Sequence, residues 1–113
     1  KGGMQSYIPN GFYVLEDYHN TYHTFKYNNK LVGVIDDIKI KKEHRGKGVG
    51  TKIIRDMLKT HSYIIITYSI NGPFWSKFKN IRCNSIEGRE LLNVARKEVG
   101  SYANGCGYIL VNG

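Results

Sequence analysis

The sequence predicts a mixed α/β layer fold of the α+β kind: a mixed central sheet with antiparallel N-terminal strands, flanked by helices. Three observations carry this. Short runs of branched and aromatic residues, at Tyr22 to Tyr27, Leu31 to Ile40, Tyr63 to Tyr68 and Tyr108 to Val111, have strand character. Val49, Ile53, Ile54, Met57 and Leu58 recur at helical spacing, as do Leu91, Leu92, Ala95 and Val99. The order strand, helix, strand around the first helix predicts a parallel crossover.

In chain order, Gly11 to Asp17 is a strand candidate through Phe12-Tyr13-Val14-Leu15, and Asp17 to Asn20 is a turn. Tyr22 to Tyr27 is the next strand, and Asn28-Asn29 a strong turn signal. Leu31 to Ile40 reads as one long strand, bulged where Asp36 and Asp37 interrupt the branched run; a break into two pieces is the alternative. The first helix runs from Val49 to about Thr60, with Lys59 and His61 supplying positive charge at its C-terminal end. Asn71-Gly72-Pro73 opens a short helix covered by Phe74, Trp75 and Phe78. Asn84 is placed to cap a longer helix, with Glu87 completing a capping box, and Gly100 fits its end. Tyr108 to Val111 then pairs beside Tyr63 to Tyr68.

The totals set bounds. A chain of 113 residues fits one domain over 1–113, with a small core. At 41% hydrophobic and 23% charged, the composition is that of a soluble globular protein. No apolar run approaches the roughly 20 residues that span a membrane, and no signal-peptide pattern is visible, so the expected setting is cytoplasmic. Cys83 and Cys106 form no close pair, so buried free thiols are expected. Seventeen basic against nine acidic residues give +8, which favours an acidic partner: a phosphorylated cofactor or nucleic acid. Plain solubility accounts for such a charge equally well. His19 and His23 are four apart, which suits a metal only on a helix; this stretch reads as turn and strand, so no metal site is expected.

The stretch from Ile38 to Leu58 organises the rest. A strand ending in Ile38 and Ile40 meets a basic turn, Arg45-Gly46-Lys47-Gly48-Val49-Gly50, and then a helix. Glycine there permits unusual backbone angles and close approach of a ligand to N–H groups. The helix N-terminus adds unpaired donors and a partial positive charge, together an anion site. The Walker A spacing is absent, and Ile53 stands where the dinucleotide fingerprint needs a third glycine.

What remains is R-x-x-G-x-G, formed by Arg45, Gly48 and Gly50, preceded by Ile40-Lys41-Lys42-Glu43-His44. This resembles the pyrophosphate loop of the GNAT superfamily of acyl-CoA-dependent N-acetyltransferases, with Lys42 where many members have proline. The resemblance covers about Ile38 to Leu58. It implies a reduced GNAT-like acetyltransferase domain, since the family's usual opening strand and two helices have no counterpart. It implies acetyl-CoA as cofactor, held by Arg45, Gly46, Lys47, Gly48, Val49, Gly50, Thr51 and Lys52, with main-chain groups of Ile38, Lys39 and Ile40 along the pantetheine arm. An N–H near Ile40 would face the developing oxyanion, and the parallel strands would splay just beyond this point.

Acetyl transfer to an amine also requires proton handling. A lysine-like amine is neutral in only on the order of one molecule in two thousand at pH 7. Asp36 and Asp37 lie on the strand where many members place a carboxylate base; on a regular strand Asp36 shares a face with Ile38 and Ile40, while a bulge would exchange it with Asp37. The family's thiolate-protonating tyrosine has Trp75 in its place, leaving Tyr68, Tyr102 and Tyr108 as substitutes. The expected acceptor is an amine, on a protein lysine or N-terminus or another macromolecule rather than on a small metabolite. A non-catalytic CoA-binding or basic nucleic-acid-associated module is the second reading.

Overall fold

The computed structural model describes residues 22–36, 40, 42–68 and 72–113. The expected strand from Gly11 to Asp17, the turn after it, His19, Asp37, Ile38, Lys39 and Asn71 lie outside these residues.

Strand β1 (Tyr22–Tyr27) alternates buried His23, Phe25 and Tyr27 with exposed Thr24 and Lys26. It turns into β2 (Lys30–Ile35) with Tyr27 opposite Lys30, so the loop is two residues long. Asn28 and Asn29 both take positive φ, 50° and 65°. That is the backbone of a hairpin turn whose twist matches the strands, and asparagine tolerates it. Helix α1 (Val49–Leu58) carries the chain over to β3 (Tyr63–Ile66), which lies parallel to β2 with Val32 opposite Tyr63 and Ile35 opposite Ile66. A short helix α2 (Gly72–Ser76) and a two-residue strand β4 (Asn80–Ile81) follow. Helix α3 (Ile86–Val99), a 3-10 turn at Gly100–Ala103 and β5 (Tyr108–Val111) complete the chain.

The described sheet has five strands in the order β1-β2-β3-β5-β4. β5 inserts between β3 and β4 and runs antiparallel to both. Alternation divides the central strands between two apolar clusters. Ile35, Ile64, Ile66 and Leu110 pack with Ile53, Ile54 and Met57 of α1 and with Trp75 and Phe78. Val32, Val34, Tyr63, Ile65 and Ile109 pack with Leu91, Leu92 and Ala95 of α3. Burying one such branched side chain contributes about 2 kcal/mol. The exposed Lys52–Asp56 and Lys59–Asp56 ion pairs on α1 contribute at most about 1 kcal/mol each, so packing rather than charge holds that helix.

Four expectations need correction. The strand from Leu31 to Ile40 ends at Ile35: Asp36 is a bend, and Ile40 makes only an isolated bridge. The cap of α3 is Ser85, not Asn84; its Oγ accepts from Gly88 N–H at 3.0 Å. Glu87 does not close a capping box but accepts the hydroxyl of Tyr63 from the sheet. Cys83 and Cys106 are not free thiols but a disulfide, with Cα atoms 6.2 Å apart. The pairing of Asn80 with Leu110 and Ile81 with Ile109 explains it: the residues next along each strand, 82–83 and 106–108, are brought face to face although 23 positions separate the cysteines. Helix α1, which ends at Leu58, helix α2 and the strand β5 beside β3 fall about where the sequence places them.

His61 also differs from expectation. It is 3% exposed, and burial holds its pKa below 6.5, so it does not supply charge to the end of α1. Its Nδ1 lies 2.9 Å from the carbonyl of Met57, which can only accept, so the ring hydrogen sits on Nδ1 and Nε2 accepts from Tyr22 at 2.7 Å. The ring occupies the space over Gly33, where a Cβ would lie 2.9 Å from it. This is why a glycine stands in the middle of β2.

Candidate functional site

The basic turn begins with a 3-10 turn at Lys42–His44, and Arg45 N–H bonds back to the carbonyl of Lys42. Gly46 and Gly48 adopt φ of 77° and 75°. A Cβ on either would meet nothing within 4 Å, so these glycines answer to backbone conformation and leave the main chain bare. Gly50 has a different reason. It is buried, and a Cβ there would lie 3.2 Å from the Phe74 ring and 3.8 Å from Ile40. The first turn of α1 therefore rests directly on α2.

Gly48 is the N-cap of α1, and the helix ladder starts with Lys52 N–H to Gly48 C=O at 3.0 Å. The N–H groups of Val49, Gly50 and Thr51 precede that bond and have no acceptor within the helix. Among the described residues no side chain caps this end, and no acidic residue lies in its first turn. The helix dipole makes it favourable for an anion.

The expected cations are placed in different ways. Arg45 Nε donates to the carbonyl of Ile40 at 2.7 Å, tying the turn to the residue before it. Lys47 Nζ donates to the carbonyl of Glu43 at 3.3 Å. Lys52 points down the helix to Asp56 at 3.0 Å, away from the N-terminus. A cation not foreseen comes from beyond α2: Lys77 Nζ donates to Thr51 Oγ1 at 2.8 Å and sits 4.7 Å over the Phe74 ring. Sequence offered only one signal for it, the lysine directly after Phe74-Trp75-Ser76. The 26 positions to Thr51 gave no hint of contact.

The carboxyl ends of β2 and β3 form the other part. Pairing continues past the strands, with Thr67 N–H to Ile35 C=O and Tyr68 N–H to Asp36 C=O, both 2.9 Å. Ile35 packs toward α1, so Asp36 falls on the α3 side, where its charge acts on His23. Ile40 packs with the α1 cluster. Asp36 and Ile40 thus lie on opposite sides of the sheet, not on one face as a regular strand requires. Tyr68 is 62% exposed beside this edge. Of the other tyrosines, Tyr108 brings its hydroxyl close to Gly72 at the start of α2, and Tyr102 stacks on His23. Trp75 is fully buried, and its Nε1 has no hydrogen-bond partner among the described residues.

Among the described residues no cluster of three metal-ligating side chains occurs, and no helix is long and apolar enough to cross a membrane. No family model, curated protein or solved structure matches the chain.

Proposed function

We propose that this chain is a small acyl-CoA-dependent N-acetyltransferase of GNAT type that moves the acetyl group of acetyl-CoA to an amine carried on a protein or other macromolecule. One observation carries the reading: the start of α1 offers bare backbone donors, behind two glycines in the left-handed region, with no side-chain cap, no acid in the first turn and Lys77 beside Thr51. A pyrophosphate suits that arrangement in charge and in approach. Arg45 and Lys47 fix the turn, Gly46 and Gly48 open it, Val49 to Thr51 supply backbone donors, and Lys77 beside Thr51 supplies charge. Asp36 and Tyr68, at the strand edge, are the groups nearest in sequence to where transfer would occur.

The second reading is a binding module for CoA or nucleic acid without catalysis, and the net charge of +8 supports it. Two measurements separate the readings. Titration calorimetry with CoA is expected to give saturable binding at one site. Incubation with acetyl-CoA and a lysine-bearing peptide is expected to release free thiol. Binding without thiol release favours the module, and absence of CoA binding overturns both the cofactor and the enzyme. A cytoplasmic setting requires a reducing environment that would leave Cys83 and Cys106 as thiols, whereas their disulfide suits an oxidising one.

A further inference from the structure

Two of the described histidines are buried, and they differ in one respect. His61 has both ring nitrogens engaged, by Met57 and Thr60 on Nδ1 and by Tyr22 on Nε2. His23, 8% exposed on β1, has no hydrogen-bond partner for its buried Nε2 among the described residues. Such an orphan costs about 1–3 kcal/mol. Packing alone does not call for it, because Phe25 and Tyr27 fill the next two inward positions of the same strand with aromatic rings.

The location of His23 is specific. It pairs with Val34, next to the carboxyl end of β2, and its inward side is the α3 side, opposite α1 and the glycine turn. In open α/β sheets ligands bind outside the carboxyl ends of parallel strands. Asp36, from the end of β2, is the charge that acts on the imidazole, and Tyr102, from the 3-10 turn, is the titratable group stacked on it at 4.1 Å between ring centroids. Tyr102 is itself 43% exposed.

We infer that His23 is the proton acceptor for the incoming amine, on the face of the sheet opposite the cofactor turn, with Asp36 stabilising the imidazolium that forms. The inference rests on the acetyl-transfer reading. The amine nitrogen bonds to the thioester carbonyl carbon, the carbon–sulfur bond breaks, the amine proton passes to Nε2, and the sulfur leaves as thiolate and takes a proton from water. Burial holds His23 below its ordinary 6.5, so the ring is neutral at pH 7 and can accept; the charge of Asp36 works against that lowering and favours the protonated product.

The test measures thiol release from acetyl-CoA with Nα-acetyl-lysine amide as the probe acceptor, across pH. Deprotonation of the amine alone gives a rate that rises tenfold per pH unit. In the unaltered chain the dependence is expected to steepen to about a hundredfold per unit below a break that lies under pH 6.5, where His23 protonates. Asp36→Asn should move the break to lower pH. His23→Gln should abolish it and slow the reaction about 100-fold at pH 7, with CoA affinity within twofold. The break and its displacement are read on chains that retain His23, so the result does not depend on how His23→Gln folds. CoA binding without a break, or a break that persists in folded His23→Gln, overturns this inference alone. Absence of CoA binding in the unaltered chain overturns it together with the reading of the turn.

Discussion

The two long helices begin in opposite ways. α3 is closed: Ser85 caps Gly88 N–H and donates back to the carbonyl of Arg82, Glu87 lies in the first turn, and the disulfide holds the approach. Gly88 is so enclosed that a Cβ would lie 2.2 Å from the carbonyl oxygen of Arg82. α1 is open: no side-chain cap, no acid, and empty space over Gly46 and Gly48. Both helices pack an apolar stripe on the same sheet, so the fold's demand on them is similar. What α3 satisfies with its own N-cap side chain, no described side chain supplies to α1. A helix start without a capping side chain and with Lys77 at its first turn is where an anion gains most.

The sharpest way to break this contrast is at Gly88. Gly88→Ala places a methyl group against two backbone carbonyls that cannot rotate away, and stability in urea is expected to fall by about 3 kcal/mol. A loss under about 1 kcal/mol would mean that α3 is not closed in the way described.

Removing the disulfide follows closely. The double variant Cys83→Ser, Cys106→Ser frees a loop spanning 23 positions and should cost about 3 kcal/mol. CoA affinity is expected to stay constant, because the disulfide flanks the α3 cluster while the open turn belongs to α1. A parallel loss of affinity in the folded variant would show the two ends to be coupled.

Gly48→Asp tests the open end itself. Aspartate tolerates the left-handed region and serves as an N-cap, so stability is expected to change by under about 1 kcal/mol. The same carboxylate occupies the donors and repels phosphate, and CoA affinity should fall at least tenfold, about 1.4 kcal/mol. Unchanged affinity in the folded variant removes the anion site.

The smallest effects are in pH. The end of α1 is tied through His61, whose folded pKa is below 6.5. Its contribution is therefore present above pH 6.5 and lost as pH falls through the folded value. α3 is tied through Tyr63 to Glu87, and that hydrogen bond raises the Tyr63 hydroxyl to about 12. Its contribution is present below pH 10 and lost as pH rises toward 12. Hydrogen exchange should accordingly show α1 loosening first on the acid side and α3 first on the alkaline side. The reverse order would contradict the assignment of these two ties.

Much of the fold is determined by neighbours along the chain. The alternation of Tyr22 to Tyr27, the Asn28-Asn29 turn, the helical spacing of Val49 to Leu58 and the stop at Gly100 are local preferences that no distant contact overrides. The glycine turn belongs with them, because its two left-handed positions favour glycine wherever the rest of the chain lies. Tertiary structure alone decided the remainder. Periodicity states which side of a strand is apolar but not which layer will cover it, so the placement of Asp36 beside His23 and opposite Ile40 followed from the packing. The pairing of Cys83 with Cys106 depended on β5 entering between β3 and β4. Lys77 reached Thr51 only because Phe74 seats α2 against Gly50. The α3 cap moved from Asn84 to Ser85 because adjacent residues offer nearly equal caps, and the carbonyl of Arg82 and the hydroxyl of Tyr63, set by the sheet, chose between them.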